Sequence, residues 1–286
     1  MALTFRTDYW EDPSARRAFQ QFMVDSFNLD FTLWEENGFW DEAFIPFSYF
    51  ERERIVASVC IYSLPAVIAG QPARVAQLSS VATHPEWQRR GLNRKLTASA
   101  LDQVQDHDAV LLFSTDEAIP FYRAVGFRSI VEQLEYSDVD PVTPRAGRRR
   151  LDPANPGDLQ RIYQYARQRT TVSNRFSFGN ARLLMFHCLY TLRDHLYEIT
   201  DLNCLVLYRR TGSCLQVFDI VAERLPDWSQ LYPYLAEPGD TRIEFHFHTD
   251  KLRLGQTELL PLTGNNPLVR DPFPLERPVF PYTCRA

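Results

Sequence analysis

The sequence predicts an α/β (α+β) protein laid out as two similar halves. Three observations point there. Strand-like and helix-like segments alternate from Met1 to about Tyr136. A stretch with two prolines, a glycine and four arginines, Asp138–Arg150, then reads as a linker. After it the same order of elements begins again, without obvious residue identity. The expected division is 1–140, a linker at 141–150, and a second half at 151–286, sizes that suit two domains of moderate bulk.

In the first half, Ala2–Thr7 reads as a strand and Pro13–Phe27 as an amphipathic helix begun by Asp12-Pro13. Phe31–Phe50 is crowded with aromatics and acids and is expected to contain a second helix. Ile55–Ser63 and Ala73–Thr83 are β-rich runs separated by a Gly70-Gln71-Pro72 turn. Leu92, Leu96, Ala100 and Val104 recur at helical spacing, which predicts a helix over about 91–105. Ala109–Phe113 is a continuous apolar run, as a buried strand would be. In the second half, Asp158 is read as the cap of a helix carrying Leu159, Ile162, Tyr163 and Ala166 on one face. A more apolar helix over Leu183–Leu192 follows, then strands at Cys204–Tyr208 and Cys214–Ala222, a helix from about Trp228, and a strand at Arg242–His248.

Composition narrows the function. No apolar run reaches the roughly 18 to 20 residues of a membrane span, and the first residues meet acids without an apolar stretch, so neither a membrane anchor nor a signal peptide is expected. Five scattered cysteines fit reduced thiols in a cytoplasm better than a disulfide framework. A net charge of −5 argues against nucleic acid as the main partner. No phosphate loop of the nucleotide-hydrolysing or dinucleotide-binding kind occurs. His246 and His248 lie two apart on a predicted strand, but no third ligand accompanies them, and no metal is expected.

The informative stretch runs from Val81 to Leu96. A strand ends there, a short polar loop turns, and a helix opens on Gly91. The first N–H groups of a helix lack internal partners and carry partial positive charge. A glycine lets a phosphate approach them, and Arg89, Arg90 and Arg94 add cationic donors. A solvated basic turn at a helix start has the same appearance.

The segment Gln88-x-x-Gly91-x-Asn93 resembles motif A of the GCN5-related N-acetyltransferases, the GNAT superfamily. About thirty residues on, Phe121-Tyr122-x-x-x-Gly126-Phe127 resembles the family's motif B, with the strand at Ala109–Phe113 between the two. The resemblance covers roughly residues 1 to 136, and Asn93 stands where the family keeps a small residue. It implies a mixed, strongly twisted sheet flanked by helices, repeated in the second half, and acetyl-CoA as acyl donor. The main chain of Val81, Ala82 and Thr83 would hold the acetyl carbonyl and pantetheine. Gln88, Arg89, Arg90, Gly91, Leu92, Asn93 and Arg94 would hold the pyrophosphate. Tyr122 would protonate the departing thiolate, although Phe121, Tyr122 and Phe127 also read as core aromatics. The partner implied is a small-molecule or peptide amine, with self-association left open. A non-catalytic acyl-CoA sensor keeps the same features.

The base is not evident. His84 beside the loop reads as a solvent-facing histidine, and Glu35, Glu36, Asp41 and Glu42 as the polar face of a helix that can also attract an ammonium group. The tandem layout is similar to that of the enhanced-intracellular-survival acetyltransferases, by analogy with which the carboxylate of Ala286 would reach back as base. The second half lacks the cofactor signature, with Ala222–Trp228 in the place of the loop, and is expected to shape the acceptor pocket instead.

Overall fold

The computed structural model describes residues 3–7, 9–140 and 142–286. Strand β1 (Thr4–Thr7) leads into helix α1 (Pro13–Phe27). Asp12 starts that helix, its Oδ1 accepting from the N–H groups of Ser14 and Ala15 at 2.9 and 3.2 Å, and Asn28 ends it in the left-handed region. The aromatic segment expected to be helical gives only one short helix, α2 (Thr32–Glu36), and then a strand, β2 (Phe44–Glu51). Phe44, Phe47 and Phe50 are all buried in β2, so the segment lacks the period-2 alternation that marks a half-buried strand.

Strands β3 (Arg54–Ile68) and β4 (Gln71–Thr83) form a long hairpin. Its turn is Ala69-Gly70, both at positive φ as a two-residue hairpin requires, and Gln71 and Pro72 already belong to β4, which corrects the expected turn. Helix α3 (Leu92–Asp102), strand β5 (Ala109–Phe113), helix α4 (Ile119–Ala124) and strands β6 (Phe127–Ser129) and β7 (Gln133–Asp138) complete the first half.

The stretch read as a linker is partly a strand, β8 (Arg148–Arg150), and its arginines are not simply solvated. Arg148 pairs with Glu237 at 2.7 Å, Arg149 with Asp158 at 2.8 Å and Glu198 at 2.9 Å, and Arg150 with Asp194. Helix α5 (Pro156–Gln168) is capped by Asn155, not by Asp158, whose carboxylate accepts from the Asp152 N–H at 3.0 Å. Then come β9 (Phe176–Phe178), α6 (Ala181–Leu189), β10 (Leu196–Ile199), β11 (Cys204–Thr211), β12 (Cys214–Val221), α7 (Trp228–Leu235), β13 (Arg242–Phe245), β14 (Glu258–Pro261) and β15 (Pro267–Arg270).

Two mixed sheets result. One runs β1-β2-β3-β4-β5-β15-β6, with β9 added to one end of β3; the other runs β14-β7-β13-β12-β11-β10-β8. Each contains an antiparallel meander, a helical crossover, and one parallel pair, β4 with β5 and β12 with β13. The layout of the first half is therefore repeated in the second. The halves also exchange strands. Beside β5 lies β15 from the second half, and beside β13 lies β7 from the first.

In β15, Leu268 and Val269 are fully buried, and the strand pairs with both β5 and β6. Without it those two strands have no hydrogen-bonded connection. A chain ending at Leu262 is expected to show no cooperative unfolding transition for the first half by scanning calorimetry. A sharp transition retained in that shortened chain would show that the first sheet stands without β15.

Candidate functional site

The site is built from interruptions in regular structure. Strand β4 pairs with β5 only from Val75 to Leu78, opposite Ala109 to Leu112. Just past that point β4 bulges against β3, and Ser80 takes a positive φ of 53°. The bulge turns β4 away, so that Ser79–Thr83 has no strand neighbour on the β5 side. An open cleft of about 900 Å³ begins in this gap.

Val81, Ala82 and Thr83 form its floor, and the loop that follows forms its far end. Arg89 and Gly91 both take positive φ, 61° and 73°, which curls the loop over the start of α3. Gly91 is the N-cap residue, no side chain caps the helix, and its first N–H groups remain free. A Cβ at Gly91 would meet no protein atom within 4 Å, so bulk added there enters the cleft and not the core. Gln88 braces the loop by donating to the Thr83 carbonyl at 3.3 Å.

The residues predicted for the cofactor are thus brought together, with one exception. Arg90 does not line the cleft; its guanidinium stacks over Trp87 at 4.5 Å and donates to the Glu86 carbonyl. Asn93, in the place of the family's small residue, sits inside α3, half-buried on the cleft wall, with Oδ1 unpartnered. An anion-sized group at this end would meet free helix N–H groups, Arg89 and Arg94.

Residues 15–130 match the family described as acetyltransferase (GNAT) domain. The chain carries a GNAT acetyltransferase domain. Three solved structures are similar in fold over 94% of the chain. They are a probable N-acyltransferase from Enterococcus faecalis (15% identity, TM-score 0.56, 73% of its length), Eis1 from Mycobacterium abscessus (18%, 0.54, 73%) and a GCN5-related N-acetyltransferase from Kribbella flavida (14%, 0.53, 72%). No curated protein sequence matches this one. The match to the acetyltransferase family supports an acyltransferase, and these neighbours share its fold.

In the GNAT domain Tyr122 is 6% exposed and packed edge-on against Phe121 and Phe127. Phe121, Ala124 and Val125 line the cleft and Tyr122 does not. Burial pushes its pKa up to about 12, so the phenol stays protonated at neutral pH.

The equivalent places in the second half are closed. Strands β12 and β13 part after Val217 and Phe245, but the end of the chain fills the gap. The Tyr282 N–H donates to the His246 carbonyl at 3.1 Å, the Tyr282 ring packs on Phe218, and the Thr283 hydroxyl bonds Asp219. At the start of α7 stands the carboxylate of Asp227, where a phosphate would be repelled.

From that gap the chain runs back to β4 of the GNAT domain. Ala286 accepts a hydrogen bond from Gln77 at 2.9 Å and lines a second, smaller cavity together with Ser79 and Ser80 of the bulge. Phe31, Trp34, Phe44 and Phe186 are among the aromatics of its wall, and Phe27 borders both this cavity and the cleft. Sequence reasoning missed this cavity, because α6 reaches it only through the packing of the two halves.

None of the acids expected to attract an ammonium group lines it. Glu35 pairs with Arg16 at 3.1 Å, Asp41 is buried against Arg182 at 3.3 Å, and Glu36 and Glu42 are exposed. His84 lines the cleft, its ring held by Arg54. His248 is not a ligand: Nδ1 bonds Glu135 at 2.8 Å and Nε2 accepts from the Val279 N–H, and no group of three metal-binding side chains occurs among the described residues. All five cysteines are free, and no described helix is long and apolar enough to cross a membrane.

The chain end is anchored by buried charge. Arg285 pairs with Glu132, and Asp219, held bidentate by Arg169 at 2.7 Å, takes the Thr283 hydroxyl. His187 Nε2 bonds the Arg285 carbonyl at 2.8 Å, so it must carry the proton. Burial, with the nearby Arg285 charge adding to it, lowers the pKa of His187 to about 4; His246 is lowered to about 4 in the same way. An unfolded chain binds protons at these histidines below pH about 6.5 while the folded one does not. Stability from this source is therefore complete above that pH and falls as pH drops toward 4, by roughly 3 kcal/mol per histidine. Thermal unfolding followed from pH 6.5 to 4.5 is expected to show a steep loss of Tm. The slope should be shallower in His187→Gln; an equal slope in that variant would remove His187 from the account.

Proposed function

We propose that the protein transfers an acetyl group from acetyl-CoA to a primary amine by direct attack in a ternary complex. The observation that carries this is the parting of β4 from β5 at the bulge, leading into an uncapped helix opened by Gly91. A thioester arm laid in the gap meets unpaired main chain, and its pyrophosphate meets free N–H groups and two arginines. The wider organisation follows: a GNAT half at 1–140 supplies the donor site, and a second half at 151–286 serves as a wall of the acceptor site.

The chemistry needs a polarised carbonyl, a neutral amine and a protonated leaving group. The main chain of Val81–Thr83 polarises the thioester carbonyl. The amine nitrogen attacks that carbon, the C–N bond forms, and the C–S bond breaks with its electron pair going to sulfur. Tyr122 gives its hydroxyl proton to the thiolate; its place in the second motif supports this role, which requires the buried hydroxyl to turn into the cleft beside Phe121. The nitrogen's surplus proton goes to a base. Where Ala286 ends the protein, its carboxylate stands beside the bulge to receive it. The products are the N-acetyl amine and free CoA.

Calorimetric titration of acetyl-CoA tests the donor site without knowledge of the amine. Micromolar binding is expected, weakened at least about a hundredfold in Gly91→Trp. The absence of binding to folded protein would refute an acyltransferase role. With an amine that turns over, Tyr122→Phe is expected to lower kcat by about a hundredfold while leaving acetyl-CoA affinity unchanged. Unchanged kcat would remove Tyr122 as the acid, and tight binding with no turnover of any amine would favour a non-catalytic acyl-CoA sensor. Extending the chain by two glycines after Ala286 should likewise lower kcat if that carboxylate is the base.

A further inference from the structure

We infer that the acceptor is a monoamine carried on a compact apolar body of about one ring, and not a polyamine or an amino sugar. The inference rests on the acetyltransferase reading and deepens it. The cavity beside the β4 bulge has a volume of about 210 Å³. A cavity of about 150 Å³ holds benzene, so this one accommodates a six-membered ring and a short aminoalkyl arm, and it falls below the roughly 300 Å³ at which pockets for larger ligands begin.

Its chemistry selects in the same direction. Met23, Leu29 and Leu183 complete an apolar wall, no Asp or Glu side chain lines it, and the acidic group on it is the carboxylate of Ala286, where that residue ends the protein. Asp41 lies next to the Tyr62 hydroxyl, where it is committed to Arg182 and accepts from the Ala43 N–H. The Ala286 carboxylate can answer one charge; every further ammonium group that a polyamine brought in would be desolvated without a counter-charge. A single amine suits the same surroundings, because the apolar wall disfavours its charged form and the carboxylate can take its proton, leaving the lone pair free for attack.

The polar atoms that are present fit one small group. The Ser79 hydroxyl is buried and has no hydrogen-bond partner; the Tyr62 hydroxyl is buried too, at 1% exposure of the residue, and stands beside Asn180 and Asp41. Both residues line the cavity, and Ser79 stands next to the bulge where the acyl carbon would be presented. A buried hydroxyl left unpaired is costly, and a neutral amine repairs this by donating one N–H to Ser79. Its lone pair then remains directed away from that hydroxyl. Phe27 lines both the cavity and the cleft, so the two spaces are neighbours.

The test is a release assay for free CoA with 2-phenylethylamine, spermidine and kanamycin, run beside acetyl-CoA calorimetry on the same protein. The kcat/KM for 2-phenylethylamine is expected to exceed that for spermidine and kanamycin by about a hundredfold or more. Leu183→Trp, which fills the cavity, should lower the 2-phenylethylamine value at least about tenfold with acetyl-CoA affinity changed less than about twofold. Leu29→Trp, at a half-buried position on the rim, makes the same test if the first variant does not fold. Acetyl-CoA binding with preference for spermidine or kanamycin, or with no 2-phenylethylamine turnover, overturns this inference and leaves the donor site standing. Faster reaction with hexanoyl-CoA than with acetyl-CoA, abolished by either tryptophan, would assign the cavity to the acyl chain and overturn it as well. Absence of acetyl-CoA binding defeats the underlying reading first.

Discussion

Everything at this site depends on the pairing of β15 with β5 and β6. A sheet that ended at β5 would expose an edge of unpaired main chain, and β6 would have no place in it. The second half supplies the missing strand, and the first half repays the exchange through β7, which lies between β13 and β14. Each sheet is thus closed by the other half's chain. The two halves cannot slide or hinge freely, since main-chain ladders and fully buried side chains such as Leu268 and Val269 cross the division. The same crossing brings the last residues of the chain to β4, where the bulge is.

Duplication of a fold leaves two copies of every structural weakness, and this protein treats them differently. In both halves the parallel pair parts beyond four residues, where the first strand of the pair bulges against its antiparallel neighbour, β4 past Ser79 and β12 at Phe218. In the first half the gap opens to a cleft, and the helix beyond it begins uncapped on glycine. In the second the protein's own Tyr282 and Thr283 occupy the gap, and Asp227 places a negative charge at the helix start. A filled gap is worth more to stability than an open one, because its main-chain groups are paired and its apolar walls covered. The open copy gives up that stabilisation, as a binding site must.

Much of the local structure was legible in the sequence. Asp12-Pro13 marked α1 to the residue, the apolar run marked β5, and Gln88–Arg94 marked the loop, since each signal lies within a few neighbouring residues. The strand exchange was not legible. Nothing local says that Pro267–Arg270 pairs with β5 and not with a neighbour in its own half, and register between distant strands depends on what their faces bury. β2 was hidden by its aromatics, buried on both faces. Arg90 looked equivalent to Arg89 and Arg94, yet a tryptophan three residues before it offered its ring. The linker arginines carried partners, Glu198, Glu237 and Asp194, that only the folded sheet brings near.

The small cavity shows why the acceptor side was the least legible part. Its wall draws on α1, α2, β2, β3 and β4 from one half and α6 from the other. Sequence inspection saw acids in Phe31–Phe50 and read them as a possible lure for a cation. Folding spends each buried one on an arginine, Glu35 on Arg16 and Asp41 on Arg182, and turns the aromatics inward. The charge that composition advertises is therefore used to hold the walls together, and what faces the bulge of β4 is mostly aromatic surface, with the Ser79 hydroxyl and the end of the chain at Ala286. With the amine bound there, as proposed, such a site would discriminate by desolvation: it would admit an amine that can shed its proton and exclude one that must keep further charges. Specificity would then be set less by attraction to the right acceptor than by the cost of burying the wrong one.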